Sequence, residues 1–278
     1  MSSITELKLS LHPTCYQGGW QQCPERINVI NHIKEKKRDN PNYKVIDVGG
    51  GAGSFVCEAG VCSATVDMTD SPSDSVKTYK GDMNCPYVWE EVQKDVDKYG
   101  KYDFAICTHT LEDISNPIYV CQKLSDIAEA GYIAVPSKYV EMYRFEGPWR
   151  GYLHHRWIYS FRDGKFKGYP KMSWVEQIKP FDEIAKKIPV KVEIEDPDGK
   201  EENKKFLQFT EINFFWEGSI ELGIVNNDYL GVGYKEIMQM YVDELLNDDL
   251  DTLWANFSGY TSRDTVAKEY ETLDTNPE

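Results

Sequence analysis

Val45-Ile46-Asp47-Val48-Gly49-Gly50-Gly51-Ala52-Gly53 is the stretch that decides the fold of this chain. The short apolar run reads as a buried strand, and the glycine cluster that ends it reads as a tight turn into a helix. A loop without Cβ atoms lets a ligand approach the backbone, and the first N–H groups of the next helix can face a polar group. Glycines at 49, 51 and 53, with Asp47 two residues before the first, spell D-x-G-x-G-x-G. The dinucleotide fingerprint G-x-G-x-x-G needs glycine at 54, where this chain has Ser54, so a nicotinamide-dependent oxidoreductase is disfavoured.

Outward from this loop the chain alternates. A helix is expected over 24–37, with Pro24 in its first turn and Lys34, Lys36, Lys37 and Arg38 crowding its end, where positive charge suits the helix dipole. After the loop come a short helix from Ser54 to Glu58 and a strand over 63–67. A helix follows over 88–99, a strand over 102–107, a helix over 118–128 and a strand over 131–136. Strands alternating with helices through short loops predict a mostly parallel sheet covered on both faces. After Pro136 the rhythm breaks: residues 138–204 are rich in aromatic and charged residues, and β-like runs return at 206–212, 213–216 and 220–225 before a helix over 235–246. Phe214, Phe215 and Trp216 read as sheet core. No repeat is present. The reading is one domain over 1–278, with a core at 25–137, a cap at 138–204 joined by 1–24, and C-terminal strands and a helix in 205–278.

Composition bounds the function. The 278 residues carry a net charge of −15 and 13% aromatic residues. The charge argues against a nucleic-acid coat, which needs clustered Lys and Arg, and the aromatic share argues against disorder. No apolar run is long enough to span a membrane, and the N-terminal segment lacks the apolar region of a secretory signal. Seven scattered cysteines are not a secreted disulfide framework, so reduced thiols and a cytoplasmic setting are expected. His12, Cys15 and Cys23 lack a clear fourth ligand, and no metal site is assigned.

VIDVGGGAG resembles motif I of the class I S-adenosylmethionine-dependent methyltransferases, and further motifs follow in that family's order. Asp67 matches the acid that holds the cofactor's ribose hydroxyls, with Asp70 its competitor. Gly81-Asp82-Met83 resembles the loop where an acid faces the adenine amino group and an apolar neighbour covers the ring. Asp103-Phe-Ala-Ile-Cys-Thr-His-Thr-Leu-Glu-Asp-Ile-Ser-Asn-Pro117 resembles the segment around the fourth strand, with Asp113 where the family usually has His. The resemblance covers about residues 43–137. It implies a Rossmann-like, doubly wound α/β sheet with a cap inserted after strand five. It also implies S-adenosylmethionine as cofactor and S-adenosylhomocysteine as product. The cofactor would be held by Asp47, Gly49, Gly50, Gly51, Gly53, Asp67, Met68, Asp82, Met83 and Thr108.

Methyl transfer from a sulfonium is an in-line displacement, so the protein mainly aligns the acceptor and excludes water, and a hydroxyl or amine acceptor also gains from a general base. His109, just past the fourth strand, and His154 and His155 in Trp149-Arg-Gly-Tyr-Leu-His-His-Arg-Trp157 are the candidate bases. In the same cluster Trp149 could wall the acceptor, and Arg150 and Arg156 could clamp an anion, although the cluster could equally be packing. Adjacent histidines alone are poor metal spacing, so His154 with Glu141 or Glu146 is left unassigned. The expected acceptor is a small polar metabolite or sugar, methylated on oxygen or nitrogen. A nucleic-acid methyltransferase would be favoured by Lys138, Arg144, Arg150 and Arg156 gathering in one groove. A cofactor-binding protein without turnover is the remaining alternative, and oligomeric state is not legible.

Overall fold

The computed structural model describes residues 3–13, 24–71, 73–144, 148–162, 165–185, 192–194, 205–225 and 234–246. Among these, eight strands form the main sheet: β1 (Ser3–Pro13), β2 (Val45–Val48), β3 (Ala64–Asp67), β4 (Lys77–Lys80), β5 (Tyr102–Thr108), β6 (Ala128–Pro136), β9 (Val192–Ile194) and β10 (Lys205–Glu217). Their order is β1-β10-β6-β5-β2-β3-β4, with β9 also on β10. Strands β2 to β6 run parallel, whereas β10 is antiparallel to β6 and to β1. The chain leaves β2 towards β3 and β4, then returns to β5 on the other side of β2. The strand order reverses there, and the carboxyl ends of β2 and β5 form the crevice where open α/β sheets bind ligands.

Alternation along each strand divides the core. Val45, Phe104, Ile106, Tyr132 and Ala134 face α1 (Pro24–Asp39) and the short α2 (Phe55–Glu58), packing with Val29, Ile30, Ile33, Phe55 and Val56. Ile46, Val48, Ala105, Cys107, Ile133 and Val135 join the opposite layer, where α3 (Pro86–Tyr99) and α4 (Pro117–Ile127) contribute Val88, Trp89, Val92, Val120 and Leu124. Both helices open on a proline, where its missing N–H costs nothing, and the Asn116 side chain accepts from Tyr119 N to cap α4. The two-faced cover makes the sheet doubly wound, as the alternation predicts.

Two differences from the sequence reading concern the ends of the sheet. Residues 3–13, expected with the cap, instead form the edge strand β1 along β10. The runs read separately at 206–212 and 213–216 are one strand, β10, long enough to pair with both β6 and β1; Phe214 and Trp216 are buried in the core as expected. Residues 14–23 and 247–278 lie outside the described residues.

Past β6 the chain builds α5 (Lys138–Met142), β7 (Trp157–Arg162), β8 (Lys165–Pro170), a 3₁₀ turn at Ser173–Gln177 and α6 (Lys179–Ala185). The antiparallel pair β7–β8 takes β11 (Leu222–Ile224) as a parallel third strand, forming a small second sheet. Tyr159 stacks on Phe166 at 5.1 Å, and Phe166 meets Phe214 of the main sheet edge-on. A separate apolar cluster joins α5, α6 and α7 (Tyr234–Leu246) through Val140, Met142, Ile178, Phe181, Tyr241 and Leu245.

Candidate functional site

At the end of β2 the backbone takes conformations that favour glycine: Gly49 has φ +87° and Gly51 has φ +42°. A Cβ on Gly49 would collide with Thr110 Oγ1, one on Gly50 with the Asp47 carboxylate, and one on Gly51 with Thr69 and Asp67. Three glycines thus let the first turn close against both neighbouring loops. Gly53 differs, since a Cβ there would meet nothing within 4 Å.

Asp47 is 1% exposed, and its Oδ2 accepts a hydrogen bond from Ser54 Oγ at 2.6 Å. Ser54 also caps α2, its Oγ accepting from Cys57 N at 3.1 Å. The residue that breaks the dinucleotide pattern therefore fastens the loop acid to the next helix. Asp47 Oδ1 is buried with no hydrogen-bond partner among the described residues. Burial, opposed by the Ser54 hydrogen bond, raises this carboxyl to about 7.

The remaining cofactor candidates line the same edge of the sheet. Asp67 ends β3, and its Oδ1 accepts from Thr69 N and Thr69 Oγ1, both at 2.7 Å. Its competitor Asp70 faces solvent and pairs with Lys80 Nζ at 2.7 Å, so Asp67 is the acid against the glycine loop. Asp82 Oδ1 accepts from Asn84 N and Nδ2, and Asn84 Oδ1 in turn accepts from Ser115 and Asn116, joining this loop to the one after β5. Met68 is 69% exposed. Met83 is buried in the core, with its carbonyl accepting from Trp89 Nε1 at 2.8 Å. Thr108 ends β5, its carbonyl accepting from Thr110 Oγ1 at 3.0 Å.

His109 follows with φ +49°, a backbone conformation uncommon for a non-glycine residue. Its Nε2–H donates to Glu211 Oε2 at 2.7 Å, and its Nδ1 lies 3.5 Å from Glu112 Oε1. Desolvation opposes the imidazolium, but the two buried carboxylates outweigh it and raise the pKa to about 10. The His109 side chain is still 44% exposed, and the two carboxylates favour its protonated form, which counts against the expected role as a base. Arg26 closes the network from the other side, NH2 meeting Glu211 Oε2 at 2.5 Å and NH1 donating to Tyr132 Oη at 3.2 Å. Sequence reasoning missed Arg26 and Glu211. An acid inside the apolar run 209–216 was the available signal, since a buried charge needs a partner.

The 149–157 cluster divides. Arg150 is 1% exposed and donates to the carbonyls of Met142 and Ile178 at 2.8 and 3.0 Å, with Asp182 at 2.8 Å. It pins α5 to α6, which corrects its assignment as an anion clamp. Arg144 is held by Glu176 at 2.6 Å, and Lys138 is buried in α5, so the four basic residues do not gather in an open groove. Trp149 and Arg156 are exposed.

Three contacts stitch the segment entering β7 onto the loop after β5: Arg156 N to Glu112 O at 2.6 Å, Trp157 Nε1 to Ile114 O and Tyr159 Oη to Leu111 O, both at 2.8 Å. They bring His154 and His155 against Asp113, whose Oδ1 lies 4.0 Å from the Nε2 of each. His155 is buried, and its Nδ1–H donates to Glu141 Oε1 at 2.5 Å. Glu141 Oε2 accepts from Lys171 Nζ at 2.5 Å. His154 is 66% exposed on its side chain. Glu146, the other partner considered for His154, lies outside the described residues.

The methyltransferase-domain family matches residues 23–167. A search of curated proteins returns no match. Similar solved structures include the N-terminal domain of EvdMO1 with S-adenosylhomocysteine bound (7% identity, 69% of this chain and 81% of that one, TM-score 0.31). Others are the methyltransferase domain of bacterial CtHen1-C (12%, 70% and 97%, 0.34) and the [4+2]-cyclase SpnF (12%, 74% and 85%, 0.35). At that level of similarity they carry no argument about the acceptor. The glycine cradle, the unpaired oxygen of Asp47 and a family match over more than half of the chain agree: the protein belongs to the methyltransferase-domain family and is a class I S-adenosylmethionine-dependent methyltransferase.

Proposed function

We propose that this methyltransferase acts on oxygen or nitrogen of a small polar acceptor, of metabolite or sugar type, in a reducing cytoplasmic setting. The observation that carries the reading is the neutralisation of the basic residues: Arg144 and Arg150 are held by Glu176 and Asp182, so that among the described residues they do not join Arg156 in a groove for a phosphate backbone. The described cysteines are free, and no described helix is long and apolar enough to cross a membrane.

The cofactor supplies an electrophilic methyl group on a sulfonium, and the chain's residues hold and orient around it. Asp47 Oδ1, buried and unpaired, suits the cofactor's ammonium as a charge-assisted acceptor. Asp67 suits the ribose diol and Asp82 the adenine amino group, while Gly53 leaves open space beside the loop. The exposed Met68 is an apolar side chain suited to cover the ring. His109, paired with Glu211 and raised in pKa by its two carboxylate neighbours, is less suited to take a proton than His154 and His155, which are the groups proposed to meet the acceptor.

The test is product formation. Purified enzyme with S-adenosylmethionine would be offered separate pools of sugars, small polar metabolites, RNA and DNA, with methylated products detected by mass spectrometry. Methylation confined to the nucleic-acid pools would overturn the reading. Cofactor binding with no product in any pool would favour a protein without turnover.

A further inference from the structure

We propose that Asp113, His154 and His155 form a binding site for one divalent transition-metal ion. One ligand atom from each lies within 4.8 Å of the other two. Around a single ion, with bonds of about 2.1 Å, such atoms sit about 3.0 to 3.4 Å apart for octahedral to tetrahedral geometry. With His155 fixed, the exposed side chains of Asp113 and His154 supply the contraction by rotating about their torsions.

Proximity alone does not make a site; the support behind His155 does. Its Nδ1–H is committed to Glu141, and Glu141 accepts in turn from Lys171, so Nε2 is the nitrogen left facing Asp113. A carboxylate behind a histidine fixes ring orientation and strengthens the opposite nitrogen as a donor, the arrangement that backs metal-bound histidines. The Lys171 ammonium also donates to Tyr152 O at 2.7 Å, so the buried charges are paired behind the site and not within it.

Two imidazole nitrogens and one carboxylate favour Zn²⁺, Co²⁺, Ni²⁺ or Mn²⁺ over Mg²⁺ and Ca²⁺, which prefer all-oxygen ligation. Three protein ligands leave positions open, and the loop that carries Asp113 also carries Thr110, packed on Gly49 at the cofactor crevice. The open positions suit oxygen atoms of the acceptor. That role rests on the acceptor reading above; ion binding itself does not.

The test uses the full-length chain, free of any affinity tag and stripped with chelator, titrated with ZnCl₂, CoCl₂ and MgCl₂ by calorimetry. The expected result is one equivalent of Zn²⁺ or Co²⁺, with a visible Co²⁺ spectrum and no response to Mg²⁺. His154→Ala and Asp113→Asn, both at exposed side chains, should each weaken Zn²⁺ binding about tenfold or more, and Glu141→Gln about tenfold to a hundredfold. No Zn²⁺ or Co²⁺ binding by the wild type, or unchanged binding in both His154→Ala and Asp113→Asn, would overturn the proposal. The acceptor reading fails separately, in the product assay, and titrating S-adenosylhomocysteine into the same stripped samples reports whether the cofactor site is intact.

Discussion

Ser54 Oγ donates to Asp47 Oδ2 at 2.6 Å while capping α2 through Cys57 N, so one hydroxyl ties the glycine-loop acid to the helix beyond it. The other oxygen of Asp47 is left buried and unpaired, and a buried carboxylate of that kind costs stability until a cation meets it.

Asp47→Asn separates stability from cofactor binding. The folded pKa of Asp47 is raised from 3.8 to about 7, so its contribution to stability is fully present below 3.8 and lost as pH rises through about 7. The asparagine variant should be at least as stable as the wild type at pH 8, measured by thermal melting. Its affinity for S-adenosylmethionine should fall about tenfold or more, the loss expected for a charge-assisted hydrogen bond. Wild-type affinity should also weaken as pH drops below about 7, and the variant's should not.

Gly51→Arg should abolish cofactor binding by calorimetry. Even the Cβ of a substituted residue would collide with Thr69 and Asp67, and φ +42° adds backbone strain. Gly53→Ala, where nothing lies within 4 Å of the added carbon, should fold with wild-type stability; any loss would be confined to cofactor affinity.

The raised pKa of His109 predicts a pH slope. Its pKa rises from 6.5 to about 10, so its stabilising contribution is complete below 6.5 and disappears as pH climbs through about 10. Chemical denaturation across that window should show stability declining with pH, and Glu211→Gln should flatten the decline. The same variant should also be less stable at every pH, because Arg26 loses a buried carboxylate partner.

His154→Ala and His155→Ala test the acceptor side. Each should lower turnover by about 10²-fold or more while leaving S-adenosylhomocysteine affinity unchanged, as expected for groups that act on the acceptor alone. Turnover equal to wild type in both would return the segment to a packing role.

Much of the sheet is legible along the chain because its signals are local. The β2–Gly49–α2 turn announces itself through residues that only a tight, open loop needs, and β3, β5, β6, α3 and α4 follow from apolar periodicity. The hairpin β7–β8 was missed although Asp163-Gly164 stands between its strands, because the charged residues around that dipeptide hid the alternation. β1 was missed although Leu7, Leu9 and Leu11 alternate with Lys8, Ser10 and His12, because its partner β10 lies near the far end of the chain and nothing local records the pairing.

By itself, then, the sequence determined the cofactor half of the protein, since backbone freedom at Gly49 and Gly51 and the acids that follow each strand are properties of short segments. Only the tertiary structure decided the rest. It turned Arg150 inward as a structural tie, placed Glu112 and Glu211 beside His109, and brought Asp113 to His154 and His155 from some forty residues away. Burial and partnership decide the charge and reach of a polar side chain, and both are set by packing between distant segments, which spacing along one chain does not record.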